Sequence, residues 1–482
     1  MIAVTLAQGS TEMVDVLSRQ RAAFLQDGAP SLSLRNARLQ RLRAAVLRHR
    51  EALKDAVSAD FGNRSRHETD LMELACIIQA IDYLLSNLRR FMKRERRHVR
   101  FAYRSGRAYV EYQPLGVVGV MSPWNYPLSL TLVPLATALA AGNRAMLKPS
   151  ELTPRASQAL HDVLAEAFAE DEVAVILGGP EVGAEFSALP FDYLLFTGST
   201  QVGRKVMRAA SDNLVPVTLE LGGKSPAVIA RGHVNDRTIR SLVFGKLSNA
   251  GQTCVAPDYA LVHESDLQTF IDQYTNTVRR FYPNGLDSPD YTTIINTRHY
   301  QRLSGLINDA RNRGAQVLEI GQCPDDIAVR ERILAPTLVI NSDDDALLMQ
   351  EEIFGPVLPV RTYATLDEAI GYVNARPRPL ALYYFGNEDQ GCAQVLARTT
   401  SGNVGINNTL LHVAQDDLPF GGVGPSGMGA YHGVEGFRSM SQAKGVFVQG
   451  RWNLPGLLHA PFGKIAELGI AFTLGKSRVP SP

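Results

Sequence analysis

Val117-Val118-Gly119-Val120-Met121, the loop Ser122-Pro123-Trp124-Asn125-Tyr126, the run Pro127 to Ala141, and Arg144-Ala145-Met146-Leu147 decide the fold of this chain. The first five residues form a short apolar strand. Pro127, with its fixed φ, suits the first turn of a helix that extends to about Ala141. Arg144–Leu147 is apolar again and reads as a second strand. Working toward the C-terminus, Thr153-Pro154 caps another helix. Strands follow at Tyr193–Phe196, Thr218–Leu221 and Ala227–Ile229, with a helix over Gln201–Asp212. Strands alternating with helices of this length imply a parallel, doubly wound α/β sheet. A second α/β pattern occupies about 224–410, with strands near Tyr259–His263, Gln316–Glu319 and Thr337–Ile340. Toward the N-terminus, Ala108–Gln113 alternates like a half-buried strand, and residues 11–100 read as helices. Leu39, Leu42, Val46, Leu53 and Val57 recur at helical spacing up to Gly62, and Leu71–Met92 forms another helical run.

The 482 residues suggest two or three domains, each able to bury its own core. A net charge of +1 implies no general attraction to nucleic acid. The basic cluster Arg89, Arg90, Lys93, Arg94, Arg96, Arg97 and Arg100 reads as a solvated helix end. Cys76, Cys254, Cys323 and Cys392 lie far apart with no CxxC, which fits a reducing compartment and argues against disulfides or structural zinc. Met1–Ala7 is too short for a secretory leader, and no segment approaches the roughly 20 apolar residues of a membrane span. The nearest candidate, Ile465–Leu474, is expected to pack on the body or on a partner subunit. A cytoplasmic protein without bound metal is the expectation.

Three groups of residues could carry chemistry. Phe196-Thr197-Gly198-Ser199-Thr200-Gln201-Val202-Gly203 joins a strand to a helix, where glycines admit a phosphate and the helix N-terminus favours its charge. Glu220, 22 residues after Gly198, is open to two readings. It could be the acid that binds a ribose, or a base at the C-terminal edge of a strand, before the turn Leu221-Gly222-Gly223. Gly251-Gln252-Thr253-Cys254 follows a helix over about Thr238–Asn249; on position alone its cysteine is as easily buried filler as a nucleophile. Asn125, Lys148 and Glu352 are polar residues in loops that bound apolar segments.

Together these segments resemble one family. Pro123-Trp124-Asn125, Lys148-Pro149-Ser150-Glu151, Phe196-Thr197-Gly198-Ser199-Thr200, Glu220-Leu221-Gly222-Gly223-Lys224-Ser225-Pro226, Gly251-Gln252-Thr253-Cys254, Glu352-Ile353-Phe354-Gly355-Pro356 and Pro419-Phe420-Gly421-Gly422 occur in the order, and at about the spacings, of the aldehyde dehydrogenase superfamily. Ser58–Arg66, Asp212–Thr218 and Ser426–Gly433 resemble its coniferyl aldehyde dehydrogenase branch, related to the dimeric class 3 enzymes.

The resemblance implies two doubly wound α/β domains and a bridging β element. The cofactor domain would cover 1–102 and 114–222, the catalytic domain 223–417, the bridging element 103–113 and 418–450, and a tail 451–482. It implies Cys254 as nucleophile, Glu220 as the base that activates water, and Asn125 with the Cys254 N–H as oxyanion donors. Lys148 and Glu151 would meet the adenosine ribose of NAD, and Glu352 the nicotinamide ribose beside Phe354. Gly198, Ser199, Gly203 and Leu221 would line the rest of the cofactor site. Glu151 would repel a 2′-phosphate, which favours NAD with NADP as the alternative. Tyr126, Ile406 and Phe420 are the expected substrate walls, for an aromatic aldehyde such as coniferyl aldehyde or a medium-chain aliphatic one. A homodimer is implied, bridged by a strand near Tyr103–Gln113 and the segment after about Leu418. Competing readings are an acylating, coenzyme A-dependent dehydrogenase, a non-catalytic binding protein on the same fold, and a cysteine hydrolase with a histidine base.

Overall fold

The computed structural model describes residues 8–321, 331–452, 456 and 460–475. Cys323, the start Met1–Ala7 and parts of the expected tail (453–455, 457–459 and 476–482) lie outside the described residues. Three sheets organise the rest. The first has six strands in the order Gly427–Met428, Val217–Glu220, Tyr193–Thr197, Val117–Met121, Arg144–Lys148 and Val173–Val175, parallel except for the first. The second has seven: Gln316–Glu319, Thr337–Ile340, Val357–Tyr363, Tyr259–His263, Pro226–Ile229, Ala381–Phe385 and Asn403–Ile406, again antiparallel only at the first pair. A separate sheet joins Glu95–Arg97, Arg107–Pro114 and Ser441–Val448 in antiparallel pairs.

The central strands of both large sheets are buried on both faces, so they read as continuous apolar runs rather than alternating ones. The helix Ser129–Ala141 is apolar all round and buried throughout except at Leu130, as a helix inside a core must be. It starts at Ser129 rather than Pro127, because a carboxylate from another helix takes its first free donors. Glu73 accepts from the N–H groups of Leu128 at 2.7 Å and Ser129 at 3.0 Å.

Several expected boundaries move for similar reasons. The N-terminal helical pattern is divided into Leu32–Arg48 and Arg50–Phe61 at His49, and Gly62 ends the second helix with φ 81°. The run expected from Leu71 begins at Arg66 and passes through one π turn, Asp70–Leu74, before ending at Phe91. By length and composition this Arg66–Phe91 segment is the one helix among the described residues that could cross a membrane, so Ile465–Leu474 is not the nearest candidate. Its face of Ile77, Ile81, Leu84 and Leu88 is packed into the main core. Thr153 occupies the cap position of Pro154–Ala167, but its side chain does not cap; Asp60 instead accepts from the N–H groups of Arg155 (3.1 Å) and Ala156 (2.8 Å). Tyr103 lies in a short 3-10 turn and the strand begins at Arg107. The helix expected to reach Asn249 stops at Leu247.

Arg64 and Glu73 are both fully buried and 3.0 Å apart. The same Arg64 nitrogen donates to the Asn125 carbonyl at 3.0 Å, and the guanidinium lies 4.6 Å from the centre of the Tyr126 ring. Breaking such a pair strands the other charge. Arg64→Met is therefore expected to lower stability by about 3–5 kcal/mol. Combining it with Glu73→Met should cost less than the two single changes summed, measured as a double-mutant cycle in urea unfolding.

Candidate active site

Parallel strands bring their C-terminal ends to one edge, and the functional loops leave from there. Met121 leads into the loop carrying Asn125, Lys148 ends its strand, Thr197 leads to Gly198 and Ser199, and Glu220 is the last residue of its strand. The helix Thr200–Ser211 starts at this edge, capped by the Ser199 side chain, which accepts from the Val202 N–H at 3.4 Å. A Cβ at Gly203 would run into Leu221, so glycine lets the helix lie against the strand-end turn. A Cβ at Gly222 would collide with the Glu352 carboxylate, so the backbone there passes directly over it.

Cys254 arrives on a loop that leaves ordinary helical geometry. Asn249 and Ala250 have φ of 52° and 50°, and Gly251 has 73°. Left-handed backbone costs about 1–2 kcal/mol at a residue such as alanine, so the surroundings must hold it. Glu68 accepts from the Asn249 N–H at 3.1 and 3.2 Å and from Thr292 Oγ1 at 2.9 Å. Asn249 Nδ2 donates to the carbonyls of Asn125 (3.0 Å) and Gln252 (3.1 Å). The Gln252 amide donates to the carbonyls of Asn249 and Thr293, and its Oε1 accepts from the Ile295 N–H at 2.9 Å. Asn125 Nδ2 closes the network by donating to the Gln252 carbonyl at 3.0 Å.

Two cavities meet at Cys254. One, of about 220 Å³, is lined by Asn125, Gly198, Ser199, Glu220, Leu221, Glu352 and Phe354, with Trp124, His299 and Arg302. The other, of about 280 Å³, is walled by apolar groups including Leu71, Met72, Tyr126, Phe244, Leu410 and Phe420. Cys254 lines both. Leu130, the one residue its helix leaves partly exposed, also borders both.

The electrostatics are those of an enclosed site. Neither oxygen of the Glu220 carboxyl has a protein partner, and burial raises its pKa well above the usual carboxylate range. Burial likewise pushes the Cys254 thiol up to about 12, with Glu352 and Glu220 adding to the effect and the N–H groups of Cys254 and Val255 opposing it. Glu352 is raised to about 8 by burial and by Asp258, against the Gly223 N–H, Lys224 and Arg302. Lys246 is completely buried, its ammonium has no hydrogen-bond partner, and burial brings it down to about 8. Asp258 and Glu352 are the anions that favour its charged form. Trp124 packs against Phe354, whose backbone is left-handed at φ 55°, and against His299, at ring separations of 5.4 and 5.2 Å.

The structure thus brings together Asn125, Gly198, Ser199, Glu220, Leu221, Glu352, Phe354 and Cys254 around one cavity, and Tyr126 and Phe420 around the other. Ile406 does not join them. It ends the edge strand of the seven-stranded sheet and packs with Val228, Tyr259 and Tyr384 in a separate core cluster, which corrects its expected place in the substrate wall. Lys148 and Glu151 lie at the same sheet edge but outside the cavity at Cys254; Lys148 Nζ is 3.5 Å from Glu151 and donates to the Pro149 carbonyl. Sequence reading missed Arg64, Glu68, Glu73 and Lys246. Their one signal is a charged residue at a core-facing position, as in Val243-Phe244-Gly245-Lys246-Leu247. No histidine hydrogen-bonds to Cys254 among the described residues, which leaves the cysteine hydrolase reading without its base.

With this geometry in place, comparison with known proteins is informative. The model of the aldehyde dehydrogenase family matches residues 2–446. A probable coniferyl aldehyde dehydrogenase of Pseudomonas aeruginosa is 50% identical over 95% of each chain. A coniferyl aldehyde dehydrogenase of a Pseudomonas species is 49% identical over the same share. Among solved structures, a substrate-bound AldH of Staphylococcus aureus covers 96% of this chain and 99% of its own with 37% identity and a TM-score of 0.89. An aldehyde dehydrogenase of Mycobacterium tuberculosis complexed with NAD+ covers 93% and 92% with 30% identity and a TM-score of 0.82.

The raised thiol gives a direct test. In the unliganded protein, alkylation of Cys254 by iodoacetamide should be slow at neutral pH and accelerate about tenfold per pH unit into the alkaline range. Mass spectrometry of the modified peptide reads the rate, and a plateau near pH 7 would contradict the burial argument.

Proposed function

This chain belongs to the aldehyde dehydrogenase family and is an NAD(P)-dependent oxidoreductase acting on an aldehyde through a catalytic cysteine; from that premise we propose that the cysteine is Cys254 and the substrate a hydroxycinnamyl aldehyde. The observation that carries the assignment is the position of Cys254, on the boundary between an apolar cavity and a polar one that also contains Glu220. The aldehyde enters from the apolar side and the cysteine thiolate attacks its carbonyl carbon. Asn125 Nδ2 keeps one hydrogen on the Gln252 carbonyl and has a second to offer the oxyanion, alongside the Cys254 N–H. Removing one such donor typically costs about 100–1000-fold in rate.

The residues of the polar cavity fit a dinucleotide. A helix N-terminus suited to the diphosphate opens on it at Gly198 and Ser199, and the backbone at Gly222 passes close over the part-buried Glu352 carboxylate. Leu221 continues that wall, with Gly203 packed behind it; Lys148 and Glu151 would hold the adenosine ribose, and Glu352 the nicotinamide ribose beside Phe354. When bound, NAD(P) accepts the hydride. The half-exposed Glu151 carboxylate, paired with Lys148, favours NAD over NADP.

The thioester left on Cys254 is then hydrolysed by water that Glu220 deprotonates. Glu220 serves water rather than coenzyme A, because an acylating enzyme does not need this base. The substrate class rests on the apolar aromatic-walled cavity and on the coniferyl-named relatives. We also propose a homodimer joined through the three-stranded sheet, which leaves Tyr103 and Phe447 exposed in the single chain, and a cytoplasmic location, supported by free Cys76, Cys254 and Cys392.

Cys254→Ala should abolish NADH formation from coniferyl aldehyde. Glu220→Gln should release about one NADH per subunit in a burst and then slow at least 100-fold, because only hydrolysis is blocked. Glu220 works deprotonated and its pKa is raised, so the wild-type steady-state rate should climb with pH more steeply than the Glu220→Gln rate. Stopped-flow NADH fluorescence measures both. Stimulation by coenzyme A with formation of an acyl-coenzyme A would overturn the hydrolytic assignment.

A further inference from the structure

The apolar cavity does not end at its own wall. A smaller chamber of about 70 Å³ continues from it, and the two share Met72, Cys76, Ser129, Leu130 and Tyr431 in their linings. This far chamber differs in chemistry, because Gln79, Asp416 and His432 border it. His432 is 8% exposed, and its Nδ1 is buried without a hydrogen-bond partner. The ring is neutral at physiological pH, its pKa lowered to about 4 by burial and by His412, so it has one donor and one acceptor nitrogen to offer. Asp416 is half-buried, and its carboxylate has no hydrogen-bond or ion-pair partner among the described residues. Unpaired buried polar groups cost free energy unless something completes them.

Size separates what enters each chamber. The near chamber, at about 280 Å³, accommodates a ring, while the far one, at about 70 Å³, suits a ring substituent such as a hydroxyl or methoxy group. We propose that the far chamber is the subsite for the phenolic hydroxyl of a hydroxycinnamyl aldehyde, with Asp416 accepting its proton-bearing oxygen's hydrogen bond and His432 making the second polar contact. This rests on the function proposed above and gives the enzyme a means to distinguish a phenolic aldehyde from a plain one. An alkyl tail or an unsubstituted ring fills the near chamber but leaves Asp416 and His432 unpaired, and sites built to bind a hydroxyl discriminate strongly against substrates that lack it.

Steady-state oxidation of 4-hydroxycinnamaldehyde, 4-methoxycinnamaldehyde, cinnamaldehyde and octanal by the wild-type enzyme tests this without a variant. The 4-hydroxy compound should exceed cinnamaldehyde in kcat/KM by about tenfold or more, mainly through KM, with the 4-methoxy compound between them because it cannot donate. Asp416→Asn should bring the ratio of hydroxy to unsubstituted substrate toward one. A merely structural role for Asp416 would lower both substrates alike and keep the ratio. A wild-type ratio near one, with both aldehydes oxidised, overturns the subsite and leaves the proposed substrate class standing. Oxidation of octanal with none of the cinnamyl aldehydes overturns the substrate class itself.

Discussion

The buried ion pair of Arg64 with Glu73 is the constraint on which the site depends. Neither charge reaches water, so each must be satisfied by what is packed around it. Glu73 is satisfied by the first N–H groups of the core helix Ser129–Ala141, and Arg64 by the carbonyl of Asn125. The pair thereby fixes the start of that helix and the loop immediately before it. One turn earlier on the same N-terminal segment, Glu68 holds the Asn249 N–H and with it the left-handed entry to Cys254. Arg64, just before the helix that starts at Arg66, and Glu68 and Glu73 within it thus reach both Asn125 and the loop of Cys254, which leave different sheets.

This arrangement accounts for the electrostatic state of the centre. The side chains that orient Asn125 and the loop of Cys254 spend hydrogen bonds on the backbone, while Glu220, which lines the cavity, keeps both oxygens free. Positioning groups spend their hydrogen bonds on the backbone, and reacting groups keep theirs for substrate and water. An unpartnered group also borders the far chamber, where His432 Nδ1 lies in a lining that includes Asp416 and Gln79. Burial then sets the resting protonation, with the cysteine and both carboxyls pushed toward their neutral forms.

The α/β alternation from Val117 to Ile229 is legible because fully buried strands and helices differ in length and punctuation, and the structure returns those strands within a residue or so. The strand Val357–Tyr363 is harder to read, because Pro359 inside it argues against a strand when taken locally. Caps supplied from elsewhere in the chain were not legible. Asp60 caps Pro154–Ala167, Glu73 caps Ser129–Ala141, and Glu68 terminates the helix before Cys254; none is a neighbour in sequence.

The sequence by itself determined the family and the parallel character of the two large sheets, because linked motifs at fixed spacing report chemistry that residue type alone can specify. Glu220 at a strand end and Cys254 in its loop were each ambiguous in isolation, and the motifs around them favoured a base over a ribose acid and a nucleophile over filler. Only the tertiary structure decided what surrounds that pair. It excluded Ile406 from the pocket, brought Leu71 and Phe244 into it, and set His432 and Asp416 beyond it. Cavity walls come from side chains hundreds of residues apart, and their shape and polarity follow from packing, to which local sequence pattern is blind.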